Sequence, residues 1–257
     1  IIGGNNGIVC NDLVQVSVDD ICQATITPEM MLEGSYNHNM FTVQVLNANY
    51  EPLGNIIDAT FINKTWTVKV FDNCTGNSCW GKIFVEDKLP PIITCRPDTL
   101  VNCYDIIDFT KAPYLPVALD NCEGNVSVQV IYDVTSPANC VSDTIAKRVI
   151  RYRAKDSSNN VSNICERTIY YLKVNINNIL IPKSYDGLPG NNEPLSCDYN
   201  WETGIKNKYP DPSETGRPYF PGGNPFTNAI TEHGLCKIQT TFADDSITVC
   251  IGTYKVI

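Results

Sequence analysis

Apolar and polar positions alternate along the chain in runs of five to eight residues. "LVQVSVD" (13–19), "CQATIT" (22–27), "MFTVQVL" (40–46) and "TWTVKVF" (65–71) all do so, with Gly, Asn, Asp or Pro between them. Side chains of a strand point to opposite faces in turn, so a period of two predicts half-buried antiparallel strands. Their spacing predicts one β-sandwich over residues 10–90. "EDKLPP" (86–91) reads as a linker, because its two prolines stiffen the chain and block a helix. "TLVNC" (99–103), "VSVQVIYDV" (126–134), "TIAKRVIRYRAKD" (144–156) and "CERTIYYLKV" (165–174) predict a second sandwich over residues 91–176. A second linker lies near "NINNILIPKS" (175–184). The third segment, residues 177–257, carries a stretch from 186 to 228 rich in Pro, Gly, Asn and Asp, which predicts a long loop insertion.

Residues 121–150 align loosely with residues 235–257. Both have a cysteine, a β-run ending in an aromatic near an Asp, a second cysteine, and a basic residue before Val-Ile. In the earlier stretch, strand signals continue to residue 174; in the later one, Val256-Ile257 is the last pair. The third module is therefore expected to lack its last strands. Either chain continuation or strand addition from another molecule would complete it. Residues 1–9 are a candidate donor strand, with Ile1, Ile2, Ile8 and Val9 to fill a groove, although their glycines weaken a strand.

Composition narrows the class. The 257 residues include 27 Asn against 10 Ala and 13 Leu, which argues against a mostly helical protein. A net charge of -9 argues against a phosphate-binding surface and hence against nucleic acid. No stretch is apolar for long enough to span a membrane as a helix. The 12 cysteines lack paired zinc-knuckle spacing and point to disulfides and an extracellular location. "NCTGNSC" (73–79) reads as a tight turn that Cys74 and Cys79 could close, and Cys10 and Cys22 flank a second probable hairpin.

Candidate chemistry is sparse. The only histidines are His38 and His233. The opening "IIGG" invites comparison with activated trypsin-like proteases, but no Gly-Asp-Ser-Gly-Gly segment carries a nucleophile. No phosphate loop, His-Glu-x-x-His or Gly-x-Ser-x-Gly motif occurs, so no catalytic residue is nominated and no enzyme is expected. Calcium is the best ligand candidate, because hard cations take several oxygen ligands. Asp198, Asn200, Glu202, Asn207, Asp211 and Glu214 offer such oxygens in one loop, although Lys206 and Lys208 lie among them and a solvated acidic loop is the commoner meaning of such a stretch. Tyr199, Trp201, Tyr209, Tyr219 and Phe220 gather in the same insertion, either to stack on sugars or to anchor the loop on its own module. Asn-x-Ser/Thr sequons occur at Asn63, Asn73, Asn125 and Asn160.

"PPIITCRPDTLVNC" (90–103), "ALDNC" (118–122) and "YRAKDSSNNVSNICERTI" (152–169) resemble the hyalin-repeat (HYR) family of immunoglobulin-like modules. The whole chain is similar to tandem-repeat surface proteins of Bacteroidota, through "CNDLVQVSVDDICQATITPEMMLEG", "DNCTGNSCWGKIFVEDKLPPI" and "ILIPKSYDGLPGNNEPLSCDYNW". It departs from the hyalin pattern where Arg96 separates Cys95 from Pro97 and where "DSSNN" lacks a cysteine. The resemblance implies tandem, disulfide-stapled immunoglobulin-like β-sandwiches in a large secreted, cell-surface protein exported by the type IX system. It implies a Cys95–Cys165 pair, first strand to last. It also implies O-glycosylation at Asp-Ser/Thr-apolar triplets, here Thr99, Thr144 and Ser246. Local repetition suggests Cys122–Cys140 and Cys236–Cys250, which leaves Cys103 and Cys197 to pair with each other or with another molecule.

The expected function is a structural repeat unit of a secreted bacterial cell-surface filament or adhesin. Its partners would be copies of itself or neighbouring repeats, joined head-to-tail by strand addition or by chain continuation. The alternative is a calcium-supported adhesin module that binds glycan or host surface through residues 186–228.

Overall fold

The computed structural model describes residues 7–138, 143–185, 187–193, 195–196, 215–226, 230–239 and 253–254. The expected all-β, disulfide-stapled class is the observed one. Helix is limited, among the described residues, to a four-residue α-helix, α1 (Pro28–Met31), the single residue Thr215 and short 3-10 turns. No described helix is long and apolar enough to cross a membrane.

The first seven strands are β1 (Leu13–Ser17), β2 (Ala24–Thr25), β3 (Phe41–Leu46), β4 (Pro52–Gly54), β5 (Ile56–Ile57), β6 (Thr65–Asp72) and β7 (Ser78–Glu86). Five of them form one sheet in the order β1-β7-β6-β3-β4, while β2 and β5 pair separately. The alternation works as the sequence predicts. Val16, Val43, Val45, Val68, Val70, Ile83 and Val85 turn inward, while Ile26, Met31, Leu32, Ile57 and Phe61 complete the same buried cluster. Deleting a fully buried group of this kind costs about 2–5 kcal/mol.

One feature of this sheet runs against the hairpin expectation. β1 pairs in parallel with β7, with Leu13 opposite Lys82, rather than antiparallel with the segment that follows it. The same register offset puts Cys10 beside Cys79, and these two form a disulfide in place of the expected Cys10–Cys22 and Cys74–Cys79 pairs. Cys79 packs against the core, whereas Cys74 is free on the exposed turn. That turn is held instead by Asp72, whose carboxylate accepts from Cys74 N at 2.9 Å and Thr75 Oγ1 at 2.6 Å.

The next strands are β8 (Ile92–Thr94), β9 (Thr99–Asn102), β10 (Val117–Asp120), β11 (Gly124–Asn125), β12 (Val128–Pro137), β13 (Thr144–Ala154) and β14 (Cys165–Leu172). They form sheets of order β11-β10-β8 and β12-β13-β14-β9. β14 and β9 are parallel, with Ile169 opposite Thr99, and Cys95 is bonded to Cys165 at the same offset. Two short pairs follow, β15 (Leu195–Ser196) with β18 (Thr253–Tyr254) and β16 (Ile230–His233) with β17 (Cys236–Gln239).

By packing, the chain divides into two compact units. Unit 1 comprises residues 1–96, 110–132 and 150–167; unit 2 comprises 97–109, 133–149 and 168–257. In unit 2 Cys103 is bonded to Cys236, so Cys103 is not left over and Cys236 is not paired with Cys250. The β16–β17 hairpin makes this possible. Leu235 N donates to Cys103 O at 2.7 Å, and a Cβ on Gly234 would run into that same carbonyl. Phe220 is fully buried and stacks on Tyr104 at 6.1 Å, so this aromatic anchors the end of the insertion on its own unit. Cys140, Cys197, Cys250, Ser246, Ile1 and Ile2 lie outside the described residues, as does the expected calcium set Asp198, Asn200, Glu202, Asn207, Asp211 and Glu214.

Among the described glycines of unit 1, Gly81 leaves the least room for a side chain. A Cβ there would collide with the Asn11 carbonyl oxygen and the Met31 methyl. Gly81→Ala is expected to lower stability by about 1–3 kcal/mol in urea unfolding, as overpacking does. An unchanged midpoint would show that β1 does not lie this close to β7.

Candidate cation site at the strand ends of unit 1

Three aspartates of unit 1 stand at strand ends. Asp87 follows the last residue of β7, Asp120 is the last residue of β10, and Asp156 lies two residues past β13. All three are buried, at 4%, 7% and 6% exposure. Local hydrogen bonds fix each one. Asp87 Oδ1 accepts from Leu89 N at 3.0 Å. Asp120 Oδ1 accepts from Cys122 N at 2.8 Å and Glu123 N at 3.1 Å, an arrangement that short acidic side chains favour in turns. Both oxygens of Asp156 accept from Asn160, from its backbone N at 2.7 Å and its Nδ2 at 2.8 Å.

The second oxygens of Asp87 and Asp120 have no such partner. Asp87 Oδ2 and Asp120 Oδ2 are buried without a hydrogen bond. Carboxylate oxygens of these two residues and Cys122 Sγ lie within 4.8 Å of one another. No ion pair to Asp87, Asp120 or Asp156 is found among the described residues. Desolvation raises the Asp87 pKa above the ordinary carboxylate value; the Leu89 N–H opposes it, and the neighbouring charges of Asp120, Asp156 and Glu123 add to it. Buried, unpaired, like-charged oxygens are costly in isolation. The donor set fits a hard cation that takes oxygen ligands. It does not fit thiolate chemistry, since Cys122 is oxidised.

That oxidation is part of the site's framework. Cys122 is bonded to Cys22, not to Cys140, so the disulfide ties the turn after β1 to the turn after β10. The Cys22 turn is ordered by Asp19, whose Oδ1 accepts from Ile21 N at 3.1 Å and Gln23 N at 2.9 Å. Asn121 Nδ2 donates to Asp19 O at 3.0 Å alongside the disulfide. From the other side, Asn160 Nδ2 donates to Asp87 O at 2.9 Å. Asn63 Nδ2 reaches Ser158 Oγ at 3.3 Å. Glu123 Oε1 accepts from Ser157 N at 2.7 Å and from the Ser157 hydroxyl. The segment read from sequence as a linker is thus held at Asp87 by its neighbours within the unit.

The remaining expected sites are separate from this cluster. Thr99 is half-buried in β9 and its hydroxyl donates to Pro97 O at 3.2 Å, while Thr144 opens β13. Of the candidate donor strand, Ile8 packs against the unit 1 core and Val9 O accepts from Glu33 N at 2.9 Å. Asp87, Asp120 and Asp156 were not nominated from sequence. The signal was present in "EDKLPP", "ALDNC" and "AKDSSNN", each an acid at the close of an alternating run.

No family model and no curated protein matches the chain. Solved structures similar to it include human protocadherin-24 EC1-2, at 12% identity over 66% of this chain and 100% of that one, with a TM-score of 0.28. Drosophila N-cadherin EC1-3 is 14% identical over 68% of this chain and 66% of that one, with a TM-score of 0.33. Mouse clustered PcdhgC3 EC1-3 is 11% identical over 66% of this chain and 69% of that one, with a TM-score of 0.24. Scores this low establish neither a shared family nor a shared function.

A non-reducing peptide map is expected to recover Cys22 joined to Cys122. Replacing both by Ser is expected to cost about 2–4 kcal/mol in denaturant unfolding, the usual range for a native disulfide. Recovery of a Cys10–Cys22 peptide would overturn the connectivity.

Proposed function

We propose that the chain is an extracellular structural or adhesive module whose unit 1 is braced by a divalent cation, calcium in the first instance. The observation that carries this reading is the pair of buried, unpartnered oxygens, Asp87 Oδ2 and Asp120 Oδ2. A cation between them would neutralise the repulsion among four acids and add a bond between the end of β7 and the end of β10. The four disulfides support an oxidising compartment. The role is mechanical rather than catalytic: Cys22–Cys122, Asn160 and the cation together hold the 86–91 segment against bending. Placement in a bacterial cell-surface protein exported by the type IX system rests on the sequence resemblance.

A ligand that binds only the native state raises stability, by about 2.7 kcal/mol at one hundred times its Kd. For a chain of this size each kcal/mol moves Tm by about 2–4 °C. Millimolar calcium is therefore expected to raise Tm by about 5–10 °C over a chelated sample. Asp120→Asn keeps the oxygen that accepts from Cys122 and Glu123 but removes a charge. This variant is expected to melt at or above the chelated parent and to show no response to calcium. A parent that does not respond, or a variant that responds fully, sinks the reading.

A second reading, assembly by strand addition, is supported by β12. It is an end strand of its sheet among the described residues, and Val130, Ile131, Tyr132 and Val134 are all exposed. A long apolar strand edge is a template for another strand. Light scattering of the purified chain is expected to show oligomers that Val130→Lys and Val134→Lys together disperse; a monomeric parent removes this reading.

A further inference from the structure

We infer that the outer face of the five-stranded sheet carries a saccharide-binding site built on Trp80 and Tyr50. β6 and β7 send Val68, Val70, Ile83 and Val85 into the core, so Thr67, Lys69, Trp80 and Lys82 face outward. Thr67 stands opposite Lys82, and Lys69 opposite Trp80. Trp80 is 47% exposed and Tyr50 is 68% exposed. Their rings meet nearly at right angles, 81° apart with centroids 6.2 Å apart, and form an aromatic corner. Lys69 Nζ lies 4.6 Å from the Trp80 ring centroid and steadies that ring.

Tyr50 is held in this corner against its backbone preference. Its φ is +64°, a region that bulky side chains avoid. The turn that imposes it is over-determined. Asn47 N donates to Glu51 O and Tyr50 N to Asn47 O, both at 3.0 Å. Asn47 Oδ1 accepts from Asn49 N and Glu51 N at 2.9 Å, and Asn47 Nδ2 donates to Glu51 Oε2 at 2.7 Å. Strain of this kind persists only where the surrounding structure over-determines it, as this turn does. Here its effect is to present a large exposed ring to a second one.

The corner opens on a shallow cavity of about 420 Å³ lined by Asp12, Tyr50, Thr67, Trp80, Gly81 and Lys82. Its volume is within the range of small-ligand sites, roughly 300–1,000 Å³. The side chains of Asp12, Thr67 and Lys82 make no hydrogen bond or ion pair among the described residues, so an acceptor, a hydroxyl and an ammonium group are available at the rim. A pyranose matches this arrangement. One face of its ring presents C–H groups to an aromatic surface, and its hydroxyls project sideways to polar groups. Other ligand classes match less well. β6 and β7 are interior strands whose backbone groups are consumed by the sheet, so a peptide cannot add there as a strand. A net charge of -9 and the Asp12 carboxylate disfavour a phosphate-bearing ligand.

The test is native electrophoresis of the full chain through gels containing soluble mannan, xylan, mixed-linkage β-glucan or arabinogalactan. Retardation by at least one of them is expected. Trp80→Ala and Tyr50→Ala are each expected to weaken it about tenfold, and Lys82→Ala by less, where tenfold corresponds to about 1.4 kcal/mol. Tyr50 and Lys82 are exposed, so their variants should melt with the parent and carry the test even if Trp80→Ala unfolds. Free migration of the parent in all four gels overturns the proposal. So does retardation that survives Tyr50→Ala and Lys82→Ala unchanged, which would place the binding on another surface.

Discussion

An early strand lying parallel to the last one, pinned by a disulfide just ahead of the pair, is the constraint on which the structure depends. A parallel pair cannot be closed by a tight turn and needs a long connection. Here the pinned ends are 69 residues apart for Cys10–Cys79 and 70 for Cys95–Cys165. In the chain-entropy picture, a cross-link closing a loop of that length removes about 4 kcal/mol of disorder from the unfolded chain. Register follows from the same pin. A slip of one residue between β1 and β7 would turn Val16 out of the core and Gln15 into it.

The price of this framework falls on the strand ends. Alternation within β7, β10 and β13 is used for packing, so the acids that close these runs are carried into a buried corner. Asn160 and the Cys22–Cys122 bond hold that corner together against like-charge repulsion. Covalent and hydrogen-bonded restraint keeps the carboxylates close; it does not neutralise them. A hard cation would do so, and would link the stiffness of the corner to the chemistry of the surroundings.

The two proposed sites use opposite properties of unit 1. The cation corner depends on groups withdrawn from water, where charge is costly and a compensating ion is worth most. The Trp80–Tyr50 corner depends on rings left in water, where covering apolar area is favourable.

The sequence by itself determined the longer strands, such as β3, β6, β13 and β14, because a period of two is a local property that each run carries alone. It also pointed to disulfides, and eight of the nine described cysteines form them, Cys74 being free. Only the tertiary structure decided that Cys22 meets Cys122, that Cys103 meets Cys236, and that Asp87, Asp120 and Asp156 converge. Those contacts join residues separated by 100 positions for Cys22–Cys122 and 133 for Cys103–Cys236. At such distances no periodicity connects the partners, and proximity depends on how sheets twist and turns close.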